Sequence, residues 1–253
     1  MNYDPIKQKI NKLLKTKIIY HFFYICLDLF VLRQWYIKKK ISSIIKSNTI
    51  NTFYDAGSGF CQYSFFVLSK KIKVHAVDLK ADFLSNFAKI INNNDFTYQQ
   101  ADLTGYKLSP KKADLAIAAD ILEHIEDDVA VLRNIRDSLN KNGLLIVSTP
   151  SNYNTANIKE HYRNGYSKDE ICQKLENTGF QIVSSEYTYG FWGYLHWLII
   201  MKGGMKIVNF CVYLLPIYLL FVFLPSLLCM GLDFFSNNNT GKGVIIIARS
   251  NEL

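Results

Sequence analysis

Residues 52 to 60 restrict the fold of this chain more than any other stretch: Thr52, Phe53, Tyr54, Asp55, Ala56, Gly57, Ser58, Gly59 and Phe60 read as an apolar strand, an acid and a paired-glycine turn. A residue without a Cβ takes positive φ readily and lets the backbone approach a ligand. Gly57 and Gly59 are therefore read as a binding loop from which bulk would exclude the ligand. The third glycine of the dinucleotide pattern is missing, because its position is Gln62. A second apolar run, residues 72 to 77, ends in Asp78, 19 residues after Gly59, where an acid meets ribose hydroxyls in Rossmann-like sheets. Two acids at two strand ends predict a nucleotide-binding α/β domain.

The following segments extend the pattern. Residues 96 to 100 form a strand that leads to Ala101, Asp102 and Leu103. Residues 113 to 118 form another, leading to Asp120, Ile121, Leu122, Glu123, His124 and Ile125, and residues 143 to 150 form a fifth. On these residues the chain resembles the class I S-adenosylmethionine (SAM) dependent methyltransferases, whose first motif is acidic-x-Gly-x-Gly directly after strand one. The segment Leu122, Glu123, His124, Ile125 is similar to one large branch of that family. The resemblance covers residues 52 to 188 and a last strand at 244 to 249. It implies a Rossmann-like, doubly wound α/β sheet of seven strands with the last antiparallel, and SAM as cofactor. It also implies cofactor contacts from Asp55, Gly57 and Gly59, from Asp78 to the ribose, from Asp102 and Leu103 to the adenine, and from Asp120 to the methionine part or the substrate. A helix N-cap is the other reading of Asp120.

At 253 residues, 49% of them hydrophobic, the chain is long enough for one such domain with additions. Five cysteines form no CxxC pair and are odd in number, so neither a disulfide framework nor a zinc site is indicated and no metal is expected. Reduced thiols and a cofactor made in the cytosol point to a cytosolic setting. Residues 1 to 50 carry ten Lys or Arg against two acids and so hold the whole net charge of +8; elsewhere nineteen bases balance nineteen acids. Such an extension meets an anionic partner, either nucleic acid or a phospholipid surface.

Three regions result: a basic amphipathic helical extension at 1–48, the SAM-binding domain at 49–190 with 241–253, and a hydrophobic insertion at 191–240. Residues 18 to 32 are mostly apolar and lie between lysine clusters. Fifteen residues are too few for the roughly 20 of a membrane span, so the run reads as a helix lying on a surface, with Ile18, Phe22, Ile25, Cys26, Leu29 and Tyr36 at helical spacing. A helix capping the catalytic domain fits the same periodicity. Residues 207 to 232 contain no Asp, Glu, Lys, Arg or His. A single crossing is excluded if the strands on both sides share one sheet, so a re-entrant or interfacial hairpin is expected, broken at Pro216 and Pro225 into arms of about 12 residues. Lys202 and Lys206 would lie at headgroup level with Trp192 and Trp197 as an aromatic belt. A hydrophobic lid or a dimer contact is the alternative.

Methyl transfer from a sulfonium is an in-line displacement, so the protein must position two reactants and, for an oxygen acceptor, remove a proton. His124 is the first candidate base. His161 is the second, in the segment His161, Tyr162, Arg163, Asn164, Gly165, Tyr166, which resembles a loop of related enzymes that overhangs the pocket. Arg163 would orient a substrate or pin the loop. Ser167 to Glu170 is a capping box that opens the next helix. The expected activity is O-methyl transfer to a small-molecule, lipidic or lipid-linked acceptor on the cytoplasmic side of a membrane, with the lipid surface as partner. An RNA methyltransferase using the basic N-terminus is one alternative, although an aromatic, uncharged insertion is the wrong surface for phosphate backbone. A catalytically inactive methyltransferase-like membrane scaffold is another.

Overall fold

The computed structural model describes residues 10–108, 112–153 and 161–251. Strands β1 Thr52–Ala56, β2 Lys73–Asp78, β3 Phe96–Gln100, β4 Ala113–Ala119, β5 Leu139–Pro150, β6 Phe180–Thr188 and β7 Gly243–Ser250 form one sheet in the order β3-β2-β1-β4-β5-β7-β6. Strands β1 to β5 run parallel to one another, and β7 runs antiparallel between β5 and β6. This is the expected doubly wound sheet with its last strand reversed.

Side chains along a strand alternate between faces, and the two faces carry two cores. Phe53, Val74, Leu115, Ile117, Ile146 and Ile245 point to one. It is covered by α1 Lys17–Phe30, α2 Leu32–Ser47, α3 Gln62–Leu68 and α4 Ala81–Ile91. Tyr54, Ala116, Ala118, Val147 and Ile246 point to the other, under α5 Asp128–Asp137 and α6 Lys168–Asn177. Ser167 caps α6, its hydroxyl accepting from the Glu170 amide at 3.0 Å, so the helix opens directly after it at Lys168.

The N-terminal extension packs as part of the first core. Tyr20, Tyr24, Leu32, Tyr36, Ile37, Ile41 and Ile44 are buried in the same cluster as Phe53 and Phe87. Two helices replace the one expected over 18–32, meeting at a bend of 102°. The capping reading describes one side of α1, and the other side is exposed. Tyr20 and Tyr24 are buried, whereas Ile18, Phe22 and Ile25 are 81%, 67% and 55% exposed.

Between β6 and β7 the chain leaves as α7 Phe191–Trp197, a π-helical segment Leu198–Gly203 and α8 Gly204–Cys211. It turns at Val212–Leu214 and returns as α9 Leu215–Phe235. Pro216 stands at the start of α9, as a break would require, but Pro225 lies inside the 21-residue helix. A proline in mid-helix forfeits one backbone hydrogen bond. The Leu- and Phe-rich turns on both sides continue the helix past that loss, so the two equal arms are not formed. Buried polar bonds join the two arms of this hairpin to each other and fasten it to α2. Asp233 accepts from the Gly193 amide at 2.8 Å and from the Tyr36 hydroxyl at 2.7 Å, and His196 bonds Ser226 at 2.9 Å. The stretch Ile217–Phe235 has a mean hydropathy of 2.0 over 19 residues, and 22% of it is buried.

Candidate active site

The carboxyl ends of β1, β2, β3 and β4 line up by strand register, with Ala56 beside Val77 and Ala118, and Asp78 beside Gln100. The strand order reverses direction between β1 and β4, and in open α/β sheets ligands bind in the crevice outside such a switch point. Register thus brings Asp55, Gly57, Gly59, Asp78, Asp102 and Asp120 to one edge.

The β1 loop is held from several sides. Gly57 has φ +77° and donates its amide to Val77 O at 2.8 Å. A Cβ on Gly57 would stand 2.3 Å from Ile121 Cγ2, so bulk there strikes the β4 loop, a closer obstacle than the ligand the sequence reading invoked. Gly59 has φ +51°, and nothing lies within 4 Å of where its Cβ would be, so this is the open side of the loop. Asp55 is buried, and one of its carboxylate oxygens accepts from the Ser64 hydroxyl at 2.6 Å and the Ser64 amide at 3.1 Å. It ties β1 to α3 beneath the loop. Burial raises its pKa from 3.8 to about 6 against the opposing effect of the Ser64 bonds.

Asp78 accepts the Gly59 amide on one carboxylate oxygen and the Lys80 amide on the other, both at 2.9 Å. A carboxylate offers about four lone-pair sites. Two remain for hydroxyl donors, which fits a ribose diol. Asp102 is exposed, with one oxygen accepting from the Thr104 amide and hydroxyl at 2.9 and 2.8 Å. The Leu103 side chain is 6% exposed and belongs to the core under α5. Of the pair expected at the adenine, Asp102 is the one whose side chain is at the surface.

Asp120 has φ +52° and donates its amide to Ser148 O at 2.7 Å. Its carboxylate forms an ion pair with Arg33 from the first turn of α2. The N-cap reading of Asp120 is not realised, since the turn that follows, Leu122–His124, is preceded by Ile121 without a side-chain cap bond. Arg33 also donates its amide to the Tyr189 hydroxyl at 3.0 Å. Nothing local in the sequence marks Arg33 as a residue that reaches across to the end of β4.

His124 and His161 meet edge to face with ring centroids 4.6 Å apart. The contact is made by the loop after β5, where the Tyr162 and Arg163 amides donate to Glu123 O at 2.9 and 3.1 Å. Arg163 donates to Leu122 O, Ile125 O and Glu126 O at 3.1, 2.7 and 2.9 Å and pairs with Asp128 at 3.1 Å. It is the pin of the loop. Glu123 is 1% exposed, and burial lifts its pKa from 4.5 to about 7 despite a bond from Thr149 at 3.3 Å and the nearby Arg33 and Arg163 charges. Glu123, His124 and His161 each offer a ligand atom within 4.8 Å of the others. One carboxylate and two imidazoles can move a proton or hold a divalent ion; among them only the two histidines were foreseen.

Residues 54–145 match the sequence profile of a family described as a methyltransferase domain. No curated protein matches the chain in sequence. The fold is similar to that of the N-methyltransferase NodS from Bradyrhizobium japonicum, solved with S-adenosylhomocysteine, with a TM-score of 0.59, 11% identity and 98% and 100% of the two chains covered. It is similar to phosphoethanolamine N-methyltransferase 2 from Haemonchus contortus, solved with SAM, with a TM-score of 0.57, 17% identity, and 85% of this chain and 53% of that chain covered. It is also similar to the [4+2]-cyclase SpnF, with a TM-score of 0.55, 13% identity and 79% and 74% covered.

Proposed function

We propose that this chain, which is a class I SAM-dependent methyltransferase, methylates an oxygen of a lipidic or lipid-linked acceptor on the cytoplasmic side of a membrane. The observation that carries the membrane reading is the insertion, in which a 19-residue apolar stretch is only 22% buried. Soluble proteins rarely expose contiguous apolar surface of that extent. The exposed Ile18, Phe22 and Ile25 of α1 lie on a neighbouring helix, since Phe30 at its end meets Phe223 of α9 at 5.9 Å. Insertion of two helical elements into one leaflet, without a crossing, is the mode this favours.

Bound SAM supplies a methyl group already activated on a sulfonium. Asp78 would hold the ribose hydroxyls, the Gly57 to Gly59 loop would admit the cofactor, and Asp102 would meet the adenine. An oxygen acceptor must lose a proton, and His124 and His161, in contact with each other and clustered with Glu123, would take it. A nitrogen acceptor, as the names of two of the similar structures indicate for those proteins, would need less of a base when its amine is neutral. The test is a comparison of lipid extracts from cells with and without the protein. A species heavier by one CH2 that depends on the protein is expected, and its absence from lipids together with its presence in RNA would replace this reading with the nucleic-acid one.

A further inference from the structure

Leu224, Leu228, Leu232 and Phe235 form one open apolar face along the outside of α9. At the end of that helix, Phe235 and Ser236 also line a cavity of about 350 Å³, whose other walls include Lys39, Lys40, Lys168, Asn237 and Asn239. The apolar face therefore ends at a polar recess.

The charge in the recess is one-sided. Lys40 is neutralised by Glu186 at 2.8 Å. Lys39 lies over the Phe234 ring at 4.4 Å and Lys168 over the Tyr187 ring at 5.0 Å; neither has an acidic partner among the described residues. Ring faces fix where the two ammonium groups sit without cancelling their charge. Amides and a hydroxyl supply further donors around them. The negative end of the α9 dipole also lies here and disfavours an anion, so the lysines have to overcome it. From Leu224 to Phe235 the helix rises about 17 Å, close to the ~15 Å hydrocarbon depth of one leaflet.

We infer that this face and the recess together bind one anionic phospholipid, its phosphate between Lys39 and Lys168 and an acyl chain along Leu224, Leu228 and Leu232. The site lies outside the cofactor edge of the sheet. It rests on the membrane reading only in that its ligand is a membrane lipid.

The experiment uses the full chain in a mild nonionic detergent, with retained lipid counted by native mass spectrometry. Phosphatidylglycerol, phosphatidylcholine and inorganic phosphate are the probes. One phosphatidylglycerol per chain is expected. Lys39→Ala with Lys168→Ala should weaken it by roughly 30-fold, at roughly fivefold for each base that reaches an anionic headgroup. Leu224→Gln with Leu228→Gln should also weaken it, while Lys12→Ala with Lys17→Ala, which removes the same charge elsewhere, should leave it unchanged. SAM calorimetry on each variant reports folding. Equal retention of phosphatidylcholine, equal binding of inorganic phosphate, or an equal loss in the Lys12 and Lys17 variant would overturn the inference, as would full retention by the Lys39 and Lys168 variant. Flotation of wild type on phosphatidylcholine vesicles, which calls on the apolar face alone, reads the membrane assignment separately.

Discussion

The hydroxyl of Tyr24 donates to the backbone carbonyl of Phe60 at 2.6 Å, so the N-terminal helix holds the glycine loop of β1 directly. A net hydrogen bond of this kind contributes about 0.5 to 1.5 kcal/mol. Tyr24→Phe should therefore lower SAM affinity by up to about tenfold, since 1.4 kcal/mol is tenfold. Isothermal calorimetry measures it, and wild-type affinity would mean that the loop keeps its shape without α1.

Gly57→Val should cost both folding stability and SAM affinity, because its Cβ meets Ile121 and its φ is +77°. Asp78→Ala should leave stability closer to wild type and lose binding by about 1 to 3 kcal/mol, the cost of unpaired hydroxyls. Should both variants bind SAM like wild type, the cofactor edge has been assigned to the wrong residues.

Glu123 and Asp55 set a pH dependence whose sign follows from burial. A carboxyl whose folded pKa lies above its unfolded value contributes stability that is fully present below the unfolded value. That contribution is lost as pH rises through the folded one. For Glu123 the window runs from about 4.5 to about 7, and for Asp55 from 3.8 to about 6. At about 1.4 kcal/mol per pH unit, the Glu123 contribution is on the order of 3 kcal/mol. Glu123→Gln should flatten the fall in urea midpoint across that window; an unchanged slope would mean that Glu123 does not titrate there.

His124→Asn and His161→Asn should each keep SAM affinity. The variant lacking the general base should lose turnover by roughly 100-fold or more. Turnover with the true acceptor decides between them. Full activity in both would make the pair a structural contact between the β4 and β5 loops.

Leu220, Phe221 and Leu224 are 77%, 77% and 71% exposed on α9. Replacing all three with Asp should move the protein from the membrane pellet to the soluble fraction and leave SAM binding intact. High salt should weaken only the lysine contribution, since apolar burial is not screened. Wild-type protein found soluble without detergent would make the exposed face a contact between proteins.

The strands were legible because each ends in a residue with a job. Asp55, Asp78, Asp102 and Asp120 mark four carboxyl ends, and hydrophobic runs of ordinary length precede them. Helix spacing in the extension was legible too, but not which face is buried. Tyr20 and Tyr24 pack inward while Ile18, Phe22 and Ile25 face out, and tyrosine and isoleucine are equally consistent with either side. Pro225 was misleading because a proline's local cost can be outweighed by the helix around it. Arg33 on Asp120, Tyr24 on Phe60 and Glu123 beside His161 are contacts between segments far apart in the chain, and no periodicity records them.

Thr188 and Gly243 face each other across the β6 and β7 ladder. The whole insertion, α7 through α9, is therefore the turn of a β-hairpin grown to helical size. Strand register is set by which residues pair in the ladder, and doubling the length of such a connection costs only about 0.6 kcal/mol in closure entropy. The length and greasiness of this one turn can change without altering any strand pairing.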